Sequence, residues 1–249
     1  MPSPLDQADL RQRVQACIDG ELVHQREVLA EIGPDVDDLL DAIGLLLTGG
    51  KRLRAAFLYW GHRAAGRPDS DAAVRLATSM EFFQGAALIH DDVMDEADVR
   101  RGAPSANAAY DNSTAILVGD LLFGTASDIV ADLGPEAVKI QAQTFIRLCA
   151  GQIRDDRPAP ADADPLEYYR GVLADKTGVR IATAARYGAM FGGCPPEVVE
   201  IRDIDRPEPG PKQVLVRVVA AAVTSGDARI RGARFPDGFG ALSRLAFGW

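Results

Sequence analysis

Apolar residues recur at the spacing of an α-helix through most of this chain, and this periodicity restricts its fold more than any other feature of the sequence. Near the N-terminus, Leu10, Val14, Ile18 and Leu22 follow one another four residues apart among charged residues, which puts them on one face of a helix. Gly- and Pro-containing breaks separate such segments, and they show no convincing β-strand alternation. The predicted helices cover residues 5–30, 37–47, 53–65, 70–95, 114–133, 135–152 and 165–191.

The character of the sequence changes near Pro195. Residues 206–212 contain three prolines and one glycine, and the β-branched run at 213–219 that follows them is typical of a strand. A lone strand or hairpin is at best marginally stable, and these last residues lack the partners that an independent β domain needs. We therefore predict an all-α domain over residues 1–195 and a short β-rich tail over residues 196–249.

Charge and composition argue against several classes of function. The formal net charge of −9 disfavours general binding of nucleic acid, because such binding requires a basic face. Asp120 interrupts the apolar residues around it, and no run of about 18 apolar residues suggests a membrane span. The N-terminus has no basic or apolar segment typical of a secretion signal, and three scattered cysteines fit reduced thiols. We expect a cytoplasmic protein that neither binds nucleic acid nor spans a membrane.

Three aspartates lie within five residues at the end of the helix predicted over residues 70–95. Asp91 and Asp95 are four residues apart, and Asp92 and Asp95 are three apart, so all three carboxylates can share one helix face with Cβ atoms roughly 5–6 Å apart. Like charges at this spacing repel one another. A Mg²⁺ ion would relieve the repulsion, and it is commonly held by carboxylates together with substrate phosphates. The alternative is a solvated acidic helix end.

Two basic clusters accompany the aspartates. The run GGKRLR at 49–54 places Lys51 and Arg54 at a predicted helix start, and Arg100 and Arg101 follow the aspartates. Backbone N–H groups at a helix start together with lysine or arginine make a site for anions. A pocket that held both clusters and metal-loaded aspartates would bind two polyphosphate groups. Taken alone, the first cluster is equally read as an exposed basic helix start.

Two polar positions further along the chain are also candidates for the site. Gln152 precedes an acidic pair in GQIRDD at 151–156 and offers an orienting amide, with a polar helix end as the alternative. Lys176 and Thr177 lie inside an apolar predicted helix, where a lysine needs a partner or a route to water. A lysine that extends to solvent is the alternative there.

Taken in order, these residues resemble the trans-isoprenyl diphosphate synthases, or polyprenyl synthetases. The likeness covers about residues 1–195 and implies an all-α, isoprenoid-synthase-type helical bundle around a deep cavity, usually assembled as a homodimer. The matching segments are GGKRLRAAF at 49–57, MEFFQGAALIHDDVMDEADVRRG at 80–102, GDLLFGTA at 119–126, GQIRD at 151–155 and KTG at 176–178.

The resemblance implies a role for each candidate residue. Asp91, Asp92 and Asp95 would hold Mg²⁺ ions that bridge the diphosphate of an allylic substrate, and with Lys176 they are the implied catalytic residues. Pyrophosphate would leave the allylic substrate, the double bond of isopentenyl diphosphate would attack the allylic cation, and a proton would be lost. The residues implied for the isopentenyl diphosphate are Lys51, Arg54, Arg101 and Gln84, the last of which stands where many members carry histidine. The residues implied for the allylic diphosphate are Arg100, Lys176 and Thr177, and Gln152 is implied as a further substrate-binding residue.

Product length in this family depends on the bulk of the side chains just upstream of the first aspartate. Ala86 and Ala87 lie about one helical turn before Asp91, and Phe82 and Phe83 lie about one turn deeper. By this resemblance the small alanines leave a tunnel open, which favours a product of C20 or longer.

The family pattern stops after residues 191–193. Complete members carry a second aspartate-rich motif that holds a further Mg²⁺ ion, and this sequence contains none. Residues 206–227 are instead similar to the start of medium-chain reductases of the quinone-oxidoreductase type, but no nucleotide-binding GxGxxG follows. We therefore expect a truncation or fusion near residue 195 and a synthase homologue with weak turnover or none. The alternative is a non-catalytic, diphosphate-binding subunit of a complete synthase.

Overall fold

The computed structural model describes residues 7–33, 35–66 and 70–194. A π-helical turn (Ala174–Gly178) joins the last two α-helices of the described residues, and the two short strands pair with each other. The elements in chain order are α1 (Gln7–Leu29), α2 (Asp35–Leu47), α3 (Leu53–Ala64), α4 (Asp71–Met94), β1 (Val99–Arg100), β2 (Ala103–Pro104), α5 (Ala106–Ala109), α6 (Asn112–Ala131), α7 (Pro135–Asp155), α8 (Pro165–Leu173) and α9 (Val179–Phe191). The prediction of an all-α helical bundle is confirmed for this part of the chain. The predicted boundary after residue 195, the strand at 213–219 and the reductase-like tail lie outside the described residues.

The bounds of the predicted helices agree with the structure to within three residues. Two short elements were missed, which are the β1–β2 hairpin and α5, because elements of two to four residues are too short to show periodicity. The hairpin turns through Arg101 (φ 53°) and Gly102 (φ 84°). Positive φ at both positions is the signature of the tight turn that best matches the twist of paired strands, and this turn directs Arg100 back toward α4.

Helix α4 is enclosed by the rest of the bundle. Every residue from Leu76 to Ala87 is buried, and the helix packs against α1, α3, α6 and α9. Ser70 caps its first turn, where the Ser70 hydroxyl accepts the N–H of Ala73 at 3.2 Å. The enclosed helix therefore sets the position of the aspartates at its C-terminal end.

Among the described helices, α6 is the one that is long and apolar enough to cross a membrane. Of its most apolar stretch, 44% is buried inside the protein, and α4 is the helix it contacts most extensively. A core helix of a bundle meets the same criteria of length and composition. Asp120 lies on the exposed side of α6, which places a charge in the middle of that apolar stretch.

Helices α3 and α9 approach closely because glycines face the contact. A Cβ atom at Gly188 would overlap the carbonyl oxygen of Leu58 and lie 2.8 Å from the amide nitrogen of His62. A Cβ atom at Gly61 would lie 2.5 Å from the carbonyl oxygen of Ala185. Backbone atoms cannot rotate away as a side chain can, so any larger residue would force the two helices apart.

Gly188→Ala is therefore expected to lower the free energy of unfolding by about 1–3 kcal/mol or more, through overpacking of this contact. Gly20→Ala on α1 is the matched control, because a Cβ atom there meets nothing within 4 Å, and it is expected to stabilise by roughly 0.5–1 kcal/mol. Urea denaturation monitored by circular dichroism measures both changes. Wild-type stability in Gly188→Ala would show that the contact is looser than this packing requires.

Candidate functional site

Asp92 is held by an arginine that the β1–β2 hairpin returns to the end of α4. The Arg100 Nε donates to both carboxylate oxygens of Asp92 at 2.9 Å, and its Nη2 also contacts this carboxylate. The side chain of Asp92 is only 3% exposed. The hydrogen bond to Asp92 is the main cause of a raised pKa for Arg100. The negative charge of Asp92 is thus already compensated within the fold.

Asp91 and Asp95 have different surroundings from Asp92. Burial raises the pKa of the Asp91 carboxyl above its usual value, the charges of Lys176 and Arg180 oppose this rise, and the charge of Asp95 adds to it. Asp95 is exposed and follows the last residue of α4, where its amide donates to the carbonyl of Asp91 at 2.8 Å. Asp91 is therefore a half-buried carboxylate that lies close to both positive and negative charges.

The charges of all three aspartates act on Arg100, but the ion pair with Arg100 engages only Asp92. Within the described ranges no group of three or more His, Cys, Asp or Glu side chains is arranged to hold a metal ion. The physical reason is that Asp92 turns to Arg100, while Asp91 and Asp95 remain close enough to affect each other's charge. A metal site formed by all three aspartates therefore stays a prediction, and in this structure Asp92 is held by the ion pair with Arg100.

Asp91 and Asp95 nevertheless fit a hard divalent cation. Both offer carboxylate oxygens, which are the ligands that Mg²⁺ prefers, and Mg²⁺ usually takes one or two carboxylates and completes its coordination with phosphate and water. The raised pKa of Asp91 reflects a site in which negative charge is poorly solvated, and a cation beside it would compensate that cost.

One of the cations predicted for the first basic cluster belongs to the fold. Arg52 is buried with φ 48°, and its Nη1 donates to Glu81 at 2.8 Å while its Nη2 donates to Gln15 at 2.7 Å and also contacts the carbonyl of Leu47. Its side chain is 5% exposed and that of Glu81 is 7% exposed. This ion pair fixes the start of α3 against α4, and it leaves Lys51 and Arg54 as the candidates for anion binding.

Arg54 and Arg101 lie close enough to repel each other. Partial burial lowers the pKa of Arg101, and the neighbouring charge of Arg54 lowers it further. Arg54 shares the carboxylate of Glu81 at 3.4 Å, while Arg101 donates from Nη1 to the carbonyl of Leu46 at 3.2 Å. Lys51 is exposed just before α3. An anion placed between these guanidinium groups would relieve their repulsion.

Lys176 is paired rather than extended alone into solvent. Its Nζ donates to Asp155 at 2.6 Å, and the Lys176 side chain is 27% exposed. Gln152 donates from Nε2 to Asp156 at 3.2 Å, and its buried Oε1 has no hydrogen-bond partner. The GQIRD and KTG segments identified in the sequence therefore meet, at the end of α7 and in the π-helical turn. Thr177 is half-buried in the same turn.

Two ion pairs to the buried carboxylate of Asp175 fix this π-helical turn on α7. Asp175 accepts from Arg147 at 2.6 Å and from Arg154 at 2.5 Å. Gly151 permits the close approach, because a Cβ atom there would lie 2.7 Å from the amide nitrogen of Lys176. The ion pair between Arg154 and Asp175 and the close contact with α7 therefore fix the backbone that carries Lys176 and Thr177.

The sequence did not single out Arg180, which the structure places in the middle of the site. Arg180 is buried on α9, where its Nη1 donates to the Oε1 of Gln84 at 2.6 Å and its Nη2 donates to the carbonyl of Lys176 at 2.7 Å. Burial lowers the pKa of Arg180 to about 10, the charge of Arg54 also lowers it, and Asp91 opposes the change. The available signal was that Arg180 follows Lys176 by four residues, which places both on one face of the predicted helix.

The side chains upstream of Asp91 lie in the core. Phe82, Phe83, Ala86 and Ala87 are all buried on α4. The Phe83 ring contacts the rings of Phe123 and Phe145, with centroid separations of 5.6 and 6.0 Å, and the latter two rings are 4.5 Å apart. A narrow crevice beside this aromatic cluster is lined by Ser79, Met80, Phe83, Gln141, Thr144 and Thr183.

Comparison with known proteins identifies the family of this chain. The model of one protein family, the polyprenyl synthetases, matches residues 37–206. The chain belongs to the polyprenyl synthetase family. This confirms the resemblance found in the sequence, and the match extends past the boundary predicted at residue 195. The similarity of the tail to a reductase stays a prediction.

Individual relatives are similar over most of this polyprenyl synthetase chain. It is 45% identical over 188 residues to the nonaprenyl diphosphate synthase of Mycobacterium tuberculosis, covering 76% of this chain and 53% of that protein. It is 34% identical to heptaprenyl diphosphate synthase component 2 of Geobacillus stearothermophilus, covering 74% of this chain and 56% of that protein. The chain thus spans about half the length of these relatives.

Solved structures show the same fold. A geranylgeranyl pyrophosphate synthase from Corynebacterium glutamicum, complexed with isoprenyl diphosphate and magnesium, matches with a TM-score of 0.68 at 27% identity, covering 78% of this chain and 63% of that one. A decaprenyl diphosphate synthase from Rhodobacter capsulatus matches with a TM-score of 0.63 at 30% identity, covering 78% and 57%.

Asp91→Asn is expected to raise the thermal midpoint of unfolding at neutral pH. Because the pKa of Asp91 is raised in the folded state, its ionisation destabilises the fold as the pH rises through that pKa. The difference from the wild type should shrink as the pH falls and vanish below about pH 3, where the carboxyl is protonated in both the folded and the unfolded state. Scanning calorimetry across this pH range measures the effect.

Asp128→Asn on the exposed side of α6 is the control for this experiment, because it changes the net charge by the same amount. The interpretation of Asp91 would be wrong if Asp91→Asn were less stable than the wild type at neutral pH.

Proposed function

We propose that this protein is a prenyltransferase which condenses isopentenyl diphosphate with an allylic diphosphate in the presence of Mg²⁺. The observation that carries the proposal is the concentration of poorly compensated positive charge next to Asp91. Arg54 lowers the pKa values of both Arg101 and Arg180, and Arg180 in turn acts on Asp91. Mutually repelling guanidinium groups beside a carboxylate suit a ligand that brings both a polyanion and a divalent cation.

The isopentenyl diphosphate is assigned to the cations before and beside α4. Arg54 and Arg101 would bind its phosphate oxygens, with Lys51 at the exposed edge and Gln84 as a hydrogen-bond donor. Glu81 supports this group, because its Oε2 accepts from Arg54 at 3.4 Å and from Arg52 at 2.8 Å.

The allylic diphosphate is assigned to the end of α4 and the π-helical turn. Asp91 and Asp95 would hold the Mg²⁺ ions that bind it, with Asp92 as a further ligand if Arg100 releases it. The residues assigned to direct contact with this diphosphate are Arg100, Gln152, Lys176 and Thr177. To contact this diphosphate, Lys176 would leave its ion pair with Asp155 and pair with a phosphate instead.

The reaction proposed here breaks the C1–O bond of the allylic substrate. Lys176 and Arg100 would stabilise the pyrophosphate that leaves with the electron pair, and bound Mg²⁺ supplies Lewis-acid stabilisation of the same group. The double bond of isopentenyl diphosphate then attacks the allylic cation, and a proton is lost to complete the new double bond. The apolar residues of α4 exclude water, which would otherwise quench the cation.

The length of the product is proposed to depend on α4 and on the aromatic cluster beside it. Ala86 and Ala87 present small side chains about one helical turn before Asp91. The ring of Phe83 lies about one turn earlier still and packs against Phe123 and Phe145. We propose that the small side chains of Ala86 and Ala87 favour a product of C20 or longer.

Ala87→Phe is expected to shorten the prenyl product, because a ring would then stand one turn below Asp91. Phe83→Ala is expected to lengthen it by removing one ring of the cluster. Both are measured by chromatography of the dephosphorylated products, with Phe57→Ala as a control, since Phe57 lies on α3 and its ring meets Trp60 edge to face. An unchanged product from both variants would exclude these positions as determinants of length.

A second candidate function is that of a non-catalytic subunit paired with a complete synthase. The observation that favours it is that one relative, 34% identical to this chain, is named as component 2 of a heptaprenyl diphosphate synthase. We propose association with itself or a partner through α6, where Ile116 and Leu117 are 44% and 64% exposed.

The decisive experiment combines the purified chain with Mg²⁺, isopentenyl diphosphate and farnesyl diphosphate. A longer prenyl product is expected from the wild type and from Asp128→Asn, and Asp91→Asn is expected to lose at least about 100-fold in rate because charge stabilisation at the leaving group is lost. Calorimetry with Mg²⁺ and farnesyl diphosphate measures binding separately from turnover.

The outcomes separate the two candidates. Product from the chain alone supports the enzyme, whereas binding without product, converted to product by adding a complete synthase, supports the subunit. Failure of the wild type to bind either diphosphate would exclude both.

A further inference from the structure

Arg180 is a buried cation whose direct hydrogen-bond partners are neutral. Arg180 is 8% exposed, and its two hydrogen-bond acceptors are the carboxamide of Gln84 and the backbone carbonyl of Lys176. Among the described residues no carboxylate lies within ion-pair distance of it. Burying a guanidinium without such a partner is costly, so stability alone gives little reason for an arginine here.

The contact with Arg180 decides which way the Gln84 amide points. A guanidinium can only donate hydrogen bonds, so Gln84 must turn its carbonyl oxygen toward Arg180 at 2.6 Å. The NH₂ group of Gln84 is then directed away from Arg180 and is available to donate to another acceptor. A glutamine without this partner could present either end.

The second contact of Arg180 reaches a different element. Its Nη2 donates to the carbonyl of Lys176 at 2.7 Å, within the π-helical turn that also carries Thr177. Arg180 therefore joins α4, through Gln84, to the backbone that presents Lys176. These are the two segments assigned above to the isopentenyl and the allylic diphosphate.

We infer that Arg180 is a positioning residue that couples the two diphosphate sites. It fixes the NH₂ group of Gln84 toward the isopentenyl diphosphate. Through the Lys176 carbonyl, it holds the backbone that presents the Lys176 side chain to the allylic diphosphate. This inference rests on the proposed function. The proximity of Arg54, which lowers the pKa of Arg180, and of Asp91, which raises it, agrees with a position between the two sites.

The test measures the binding of each substrate by calorimetry on the full chain. The probes are isopentenyl diphosphate alone and farnesyl diphosphate with Mg²⁺. The variants are Gln84→Met, Gln84→Glu, Arg180→Met and the double variant Gln84→Met/Arg180→Met. Arg186→Met is the matched control, because Arg186 lies on the same helix, contacts Glu136 at 3.8 Å and touches neither site.

Gln84→Met is expected to weaken isopentenyl diphosphate binding by about 10- to 100-fold, the loss of one hydrogen bond to a charged group, and to leave farnesyl diphosphate binding unchanged. Arg180→Met is expected to weaken both. If Arg180 acts on the isopentenyl diphosphate through Gln84, the double variant should bind that ligand no more weakly than Gln84→Met alone. Arg186→Met should bind both ligands within about twofold of the wild type, as expected of a distant site.

Gln84→Glu provides a test that does not depend on whether the Arg180 variants fold. Its carboxylate still accepts from Arg180, so the fold should be at least as stable as the wild type, but it has no NH₂ group to donate. It is expected to lose isopentenyl diphosphate binding by at least about 100-fold, because a negative charge now faces the phosphate.

Two results would overturn the inference while leaving the proposed function intact. One is wild-type affinity for isopentenyl diphosphate in Gln84→Glu, and the other is an additive loss in the double variant. If the wild type binds neither probe, the proposed function fails and the coupling fails with it.

Discussion

Helix α4 lies inside the bundle and carries polar side chains at Glu81, Gln84 and Asp92, each of which needs a partner there. An unpaired polar group in an apolar interior costs roughly 1–3 kcal/mol, and a charged one costs more. An arginine from a different element supplies each partner. Arg52 before α3 binds Glu81, Arg180 of α9 binds Gln84, and Arg100 of the hairpin binds Asp92.

This requirement connects the stability of the fold with the chemistry of the site. The arginines that satisfy α4 bring positive charge to its C-terminal half, and Arg54 and Arg101 add to it without a full complement of carboxylates. The result is a net-negative chain, with a formal charge of −9, that nevertheless holds a local cationic pocket. The net charge of the chain therefore says little about its ligand. The positive and negative side chains around Asp91 favour a ligand that combines a polyanion with a cation.

Much of the fold could be predicted because it depends on local periodicity. The apolar spacing gave the helices to within three residues, and Gly50 and Pro135 marked breaks that the structure keeps. The β1–β2 hairpin could not be predicted in this way, since two-residue strands leave no periodic pattern. Its turn at Arg101 and Gly102 requires positive φ at both positions, and only the glycine hinted at this.

The candidate site was predicted less completely than the fold. The proximity of Lys176 to Asp91, and of Arg54 to Arg180 beside them, followed for Lys176, Asp91 and Arg54 from motifs whose order and spacing identify the family. The pairing of Asp92 with Arg100 did not follow, because it depends on a hairpin that folds back over α4. Arg180 and Glu81 were missed because their partners, Gln84 and Arg52, lie on other elements, so no spacing along the sequence reveals the pairing.

The sequence by itself determined the helical class of the fold, the family and the presence of an aspartate-rich segment between two basic clusters, because these are properties of neighbouring residues along the chain. Only the tertiary structure decided which charges are used internally and which remain for a ligand. That division depends on which side chains meet across helices: Arg52 and Arg100 are paired with buried carboxylates, while Arg180 faces a neutral amide. The energy of a charge depends on burial and on its neighbours, and both are set by packing.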